Sequence, residues 1–481
     1  MYAIGQLIAG TGAAFSVLSA TAIVLGLFAV RAGGGVKSFI GMLNFQILLK
    51  FLLVCLAVKV LSLSPADGTL RQPVITGSVM ALGFGALWLA TMVQSRITAF
   101  RSPIANSGSG PDSILSLSIA FFLVGYGGYA VSMAADFGGR AAETGGILGY
   151  ARTLSTVKAL AIVPALYYAW ITGSKKFLSH PFVLTLLLIE VTVGLFSTSK
   201  HGALEPLVAA GMVWVARLGF RNYRVLGGVI GLIVYYALIV YPYSQYVRHN
   251  GGRDGGLSDR SEVMVDVLGQ LLSGGDLAAA TELDAGQDVG YFQGGGTLEK
   301  LNRFSLVGDA DRLIAATYDM QAYTGWTTVV WGFQLMMPSA LFPNKPSANS
   351  GNFLAHVAGD LGEGDMSTNV SYGVMANFYH AFGLIGGGAA MLVFFGLSHY
   401  ILRSTFPKAF WTRAPSSRTM WFIIAINHFH HPFAEESISG LIPSVIIYPL
   451  VFILIVLVAR PIRDLLPRRG GRLQPFSAQR A

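Results

Sequence analysis

The chain has 481 residues, 53% of them hydrophobic and only 12% charged, and its 33 Lys and Arg outnumber 24 Asp and Glu to give a net charge of +9. A soluble domain carries roughly twice that charged fraction, so a water-soluble enzyme is excluded. The basic residues sit in short connections between apolar runs, which makes them markers of membrane topology and not a nucleic-acid surface.

In chain order, apolar windows fall near residues 4–30, 38–62, 74–94, 113–135, 157–173, 180–198, 203–216, 225–246, 371–402, 419–436 and 438–459. About 20 residues carry a helix across the hydrocarbon, and continuous runs of this kind exclude barrel strands. The expected fold is all-α, a polytopic integral membrane protein of about eleven transmembrane helices with one large periplasmic loop. The first window has no basic segment before it and no small-residue cleavage site after it, so it reads as a retained span. Cys55, the one cysteine, lies inside the second window and reads as an inert packing residue.

Lys and Arg mark alternate connections: Arg31 and Lys37, Arg96 and Arg101, Lys175 and Lys176, then Arg217, Arg221 and Arg224. Arg403, Lys408, Arg413 and Arg418 fall on the same side, as does a tail with Arg460, Arg463, Arg468, Arg469 and Arg472. The positive-inside bias makes that side cytoplasmic, with the N-terminus in the periplasm and the C-terminus in the cytoplasm. The chain then divides into an N-terminal bundle of about eight helices (1–246), a periplasmic loop (247–370), about three C-terminal helices (371–460) and a basic tail (461–481).

A loop of that length is either functional or disordered. Its first half, Gly251 to Gly296, is rich in Gly and Asp, with one short amphipathic helix expected between Ser261 and Leu272. From Thr317 to Phe342 it becomes apolar and aromatic, with Trp326, Trp331 and Phe333. That segment reads as a helix on the outer face of the bundle, anchored by Trp at headgroup depth. Pro338, Pro343 and Pro346 then fix the backbone, and either aim Lys345 at a site or simply end the helix.

The basic residues on the outer side are Lys200, Arg248, Arg303, Arg312 and Lys345. An Arg fork fits phosphate oxygens and Lys supplies a point charge. Each taken singly reads equally well as solvated loop charge, but Lys200 and Arg248 emerge directly from spans, at the depth of a lipid-linked diphosphate. Lys50, Lys59 and Glu190 fall within apolar windows, where an ionisable side chain needs a partner or an aqueous cavity. A Lys50–Glu190 pair is one arrangement that satisfies both ends, and Lys59 is placed to snorkel. His356, Glu363 and His380 are candidate proton acceptors, as are His428, His430, His431, Glu435 and Glu436 at the end of the tenth window. Three histidines in four residues invite zinc, but no second ligand group stands at a recognised spacing, and no metal or other cofactor is expected. Phosphate-loop, nucleophile-elbow and zinc-protease motifs do not occur.

The stretch from Leu301 to Gly383 resembles the bacterial O-antigen polymerases, the Wzy-type oligosaccharide repeat-unit polymerase family. Pro338 and Pro343-Asn344-Lys345-Pro346 match a proline–lysine element of that family's periplasmic loop, and Tyr379 and Phe382-Gly383 match its aromatic return to the membrane. Thr198-Ser199-Lys200-His201-Gly202 is similar to its early basic motif. Ser339, Asn377 and Ala381 stand where the family carries Arg, Glu and Asn, which moves those roles to residues such as Arg303, Arg312 and Glu363.

The resemblance implies a metal-independent glycosyltransferase of the GT-C type in the bacterial inner membrane. It would pass a glycan from undecaprenyl diphosphate to a second lipid-linked repeat unit in the periplasm. Lys200, Arg248, Arg303, Arg312 and Lys345 would hold diphosphate and glycan. Membrane lipids and a chain-length regulator protein are the further partners it implies. An O-antigen ligase shares this layout. A precursor flippase is the rival from another class, and the chain lacks the internal repeat symmetry common in transporters.

Overall fold

A computed structural model describes residues 2–98, 102–137, 147–173, 180–196, 200–219, 221–240, 305–337, 350–365, 368–407, 409–412 and 415–466, with Leu178, Tyr243, Glu262, Val265, Gly269 and Phe342 between them. Most of the first half of the long loop, and the basic tail beyond residue 466, therefore lie outside the described residues. Of the short helix expected over 261–272, Glu262, Val265 and Gly269 are described, and they are helical.

The described residues form helices throughout, and their one β-bridge joins Ser38 to Phe410. A short α1 (Tyr2–Ile8) precedes α2 (Ala13–Ala32), α3 (Phe39–Leu61), α4 (Pro73–Arg96), α5 (Pro111–Phe137) and α6 (Leu148–Ile171). Next come α7 (Pro181–Phe196), α8 (Lys200–Leu218) and α9 (Tyr223–Val240). The long loop contributes α10 (Leu306–Met320), α11 (Thr327–Met336) and α12 (Ser350–Ala358), and the chain closes with α13 (Gly373–Thr405), α14 (Ser417–Glu435) and α15 (Ile438–Leu465). Among the described residues eight helices, α2–α6, α9, α13 and α15, are long and apolar enough to cross a membrane. The fold is that of a polytopic membrane protein. The windows at 180–198, 203–216 and 419–436 are also helical, but α7 is shorter, and α8 and α14 carry Glu205, Arg217, three histidines and Glu435.

Backbone contacts fix which connections share an end of the bundle. At one end Phe39 donates to the Ala409 carbonyl at 3.3 Å, Trp411 to that of Lys37 at 2.7 Å, and the Arg403 guanidinium to that of Ile97 at 3.2 Å. Lys37, Arg96, Arg403 and Arg418 thus gather at this basic end. The opposite end carries α10 and α12, and it is joined to the bundle by Asp311. The Asp311 carboxylate accepts from the amides of Arg71 at 2.6 Å and Gln72 at 3.1 Å, and from the Thr76 hydroxyl at 2.6 Å. Gln72 precedes α4 and gives it no side-chain cap, so a residue 240 positions away supplies the anion that a helix N-terminus favours.

Where one helix was expected from Thr317 to Phe342, two form. α10 ends at Gln321, whose φ of 50° is left-handed, and α11 begins only at Thr327. The connection is used elsewhere. Inside α13 the backbone breaks at Gly383, with φ 71° and ψ −169°, a region that only glycine visits at low cost. Thr324 donates its amide to the freed His380 carbonyl at 3.1 Å, and Gly325 donates to that of Ala381 at 2.8 Å. Backbone groups at membrane depth must find such protein partners. Trp326 packs edge-on against Phe382 at 5.1 Å, while α10 itself is no surface helix, with Val307, Leu313 and Ile314 fully buried. The exposed aromatic face belongs to α11 and the turn before it, with Trp326 and Phe333 turned outward.

Candidate functional site at the loop end

Of the five cations expected to grip a diphosphate, Arg248, Arg303 and Lys345 lie outside the described residues. Lys200 begins α8, at a position whose side chain is not described. Arg312 on α10 is held between two acids. Its Nε donates to Asp360 at 2.8 Å and its Nη2 to Asp309 at 2.7 Å, while the Tyr372 hydroxyl donates to Asp360 at 2.6 Å. Burial opposes the guanidinium charge, but Asp309 and Asp360 outweigh it and raise its proton affinity above the ordinary value. Burial, and then Asp360, push the Tyr372 phenol upward. This network ties α10, the turn after α12 and the start of α13 into one unit.

Three of the residues named as proton acceptors, those of the loop and its return, occupy different places. His356 donates Nε2–H to the Asp365 carbonyl at 3.0 Å, beside Asn352, which donates to the carbonyls of Asp365 at 2.9 Å and Thr368 at 2.8 Å. Its described contact therefore shapes the loop. Glu363 stands exposed on that loop's turn. His380 is buried at 2% exposure, its Nδ1 lying 2.8 Å from the Thr317 hydroxyl. Because that hydroxyl donates to the Leu313 carbonyl at 2.7 Å, the ring nitrogen is the donor, and the contact joins α10 to α13.

Beneath this end, charged side chains line a seam between helices. Lys50 sits in a π-helical turn, Leu49–Leu53, inside α3, a local widening that is frequent at functional sites. From there it pairs with Glu435 Oε1 on α14, while His431 Nε2 lies 3.2 Å from Glu435 Oε2 and the Ser371 hydroxyl donates to the Glu435 carbonyl. The Lys50–Glu190 pair expected above does not form. α3 packs on α14, whereas α7 meets a tight turn in α6 at Lys158–Ala161, and there Lys158 Nζ takes Glu190 Oε2 at 3.1 Å. Gly125 lets the same turn pack closely on α5, since a Cβ there would lie 2.5 Å from Lys158 Cα. Glu205 on α8 is within electrostatic reach of Lys158, Glu190 and His431, and so links the two pairs.

Seven ionisable groups, Lys50, Lys158, Glu190, Glu205, His431, Glu435 and Glu436, thus share the interior of an apolar bundle. A lone Lys at bilayer centre costs about 3 kcal/mol on insertion scales, and breaking a fully buried pair costs roughly 3–5 kcal/mol. The seam is also partly open, the side chains of Lys50, Glu435 and His431 being 22%, 24% and 42% exposed. Lys158 and Glu205 were overlooked in the sequence, although each lies within an apolar window where the argument made for Lys50 applies equally. Among the described residues no three His, Cys, Asp or Glu side chains converge as a metal ion would need. No family model matches the chain, nor does any curated protein or solved structure.

Proposed function

We propose that this protein polymerises lipid-linked oligosaccharide repeat units at the outer leaflet of the bacterial inner membrane. It moves a growing glycan from undecaprenyl diphosphate to the non-reducing end of a second lipid-linked unit. The observation that carries the reading is the charged seam lying under a clamped loop end, with side chains of both signs partly open. Such a site holds two anchored substrates side by side, and orientation then supplies much of the rate gain. Arg and Lys donors can stabilise the departing diphosphate without a divalent ion. The resemblance assigns that role to Lys200, Arg248, Arg303 and Lys345, whereas the charge of Arg312 is directed at Asp309 and Asp360.

The break in α13 favours a carrier as second reading, because transporters use discontinuous helices to bind substrate. Here, however, the freed carbonyls of His380 and Ala381 already accept from Thr324 and Gly325. That supports a break built for docking α11. A deletion strain separates the readings. Single repeats exported without chain extension mark a polymerase, long glycans left on undecaprenyl diphosphate mark a ligase, and repeats stranded on the cytoplasmic leaflet mark a flippase. In the polymerase case Lys345→Ala abolishes extension with the protein still in the membrane, and wild-type chain lengths would remove Lys345 from the site.

A further inference from the structure

We infer that Arg71 holds the phosphate of the lipid-linked substrate at the outer edge of the bundle. This rests on the polymerase reading above and adds a binding residue to it. Arg71 lies in the connection between α3 and α4, just before Gln72 and the first helical residue, Pro73. α4 runs from the loop end to Arg96 at the basic end, so Arg71 stands at the mouth of a span on the outer side, at headgroup depth. The positive-inside bias leaves that side poor in cations, and an Arg kept there needs a local reason.

The fold fixes this residue by its backbone and leaves its charge unspent. Its connection is clamped at two points. Ala66 donates its amide to Gln6 Oε1 at 3.0 Å and to Thr11 Oγ1 at 2.9 Å, and Gly12 donates to Asp67 Oδ2 at 2.8 Å. Further along, the amides of Arg71 and Gln72 donate to Asp311. The Asp311 carboxylate is within electrostatic reach of the guanidinium, but its oxygens are taken by those two amides and the Thr76 hydroxyl. Asp319 accepts from the Gln72 side chain at 3.3 Å. Among the described residues no ion pair or hydrogen bond engages the Arg71 side chain, and the residue is exposed. Elsewhere in the outer half, Lys50 is paired with Glu435, Lys158 with Glu190, and Arg312 with Asp309 and Asp360. Lys59 is buried, within reach of Asp67.

Arg71 therefore presents a guanidinium from a fixed backbone at the depth where a phosphate on a polyprenyl chain lies. An Arg fork matches phosphate oxygens with two parallel donors, and a backbone already in place lowers the ordering cost of binding. α10, which supplies Asp311, packs on α4, on the π-turn of α3 and on α13. The helix that anchors Arg71 thus also borders the turn that carries Lys50, and a phosphate at Arg71 stands at the same end of the bundle as the charged seam.

The test measures binding of farnesyl diphosphate to the full-length protein in phosphatidylcholine nanodiscs. Chain extension is followed alongside, on lipid-linked oligosaccharide extracted from the deletion strain. Arg71→Ala should weaken farnesyl diphosphate binding by about 10- to 100-fold, the usual worth of a hydrogen bond to a charged group. KM for the extracted lipid should rise by a similar factor with kcat kept, the mark of binding lost equally from ground and transition states. Arg71→Lys should recover part of both. Because Asp311 takes the backbone amide, Arg71→Ala keeps the clamp and should melt as the wild type does. Farnesyl diphosphate bound equally well by Arg71→Ala and the wild type would overturn the assignment and leave the polymerase reading standing. Displacement by phosphatidylglycerol at matched phosphate concentration would overturn it too, since the site would then serve bulk lipid headgroups. If the wild type binds farnesyl diphosphate through Arg71 yet extends nothing, the polymerase reading falls and Arg71 still holds a prenyl diphosphate.

Discussion

Asp311 and Arg312 are neighbours in sequence with opposite tasks, and neither is a solvated loop charge. Asp311 caps α4 from a distance, and its burial outweighs three hydrogen bonds to hold the carboxyl above its usual range. A folded-state pKa raised in this way makes ionisation unfavourable to folding. Stability contributed below the ordinary Asp value of 3.8 is therefore lost as pH rises through the raised one. Thermal melts in detergent across that window should show the decline in the wild type and a flatter profile in Asp311→Asn. Arg312→Ala strands Asp309 and Asp360 at a partly buried site, between the surface and buried regimes, and should cost about 2–3 kcal/mol. A melting temperature unchanged in that variant would show the pair to be dispensable. Loss of activity in Arg312→Ala then signals a broken clamp before it signals a lost phosphate ligand.

Helices were legible from apolar runs because membrane burial writes them plainly into composition: among the described residues every window contains a helix, and eight of these are long and apolar enough to span. What composition does not encode is which helices touch. The Lys50–Glu190 pairing failed for that reason, since pairing depends on a π-turn in α3 and a tight turn in α6 that no apolar count reveals. The long loop misled differently. One aromatic run became two helices because residues 321–326 are needed at the gap in α13. Gly383, one of the residues singled out in the sequence, has by contrast a backbone that demands glycine. Gly383→Ala should lose roughly 1–3 kcal/mol through backbone strain. A melt equal to that of the wild type would mean the two halves of α13 tolerate a different joint.

Taken whole, the described bundle has a basic end and a loop end, and eight of its described helices are able to span. The only cysteine, Cys55, is buried, so single reporters can be read cleanly. Ser62→Cys at the loop end should react with a membrane-impermeant maleimide in intact spheroplasts, and Lys37→Cys at the basic end only after permeabilisation. The reverse pattern would invert the proposed topology and place the seam in the cytoplasmic leaflet. The stitched gap in α13 also bears on biogenesis. The ribosome delivers Thr324 and Gly325 before the carbonyls of His380 and Ala381 exist, so that strip of chain must wait at the membrane surface until the next hydrophobic segment inserts. A nascent protein halted after residue 336 would leave both amides unmatched, and insertion of α13 is then what supplies their partners.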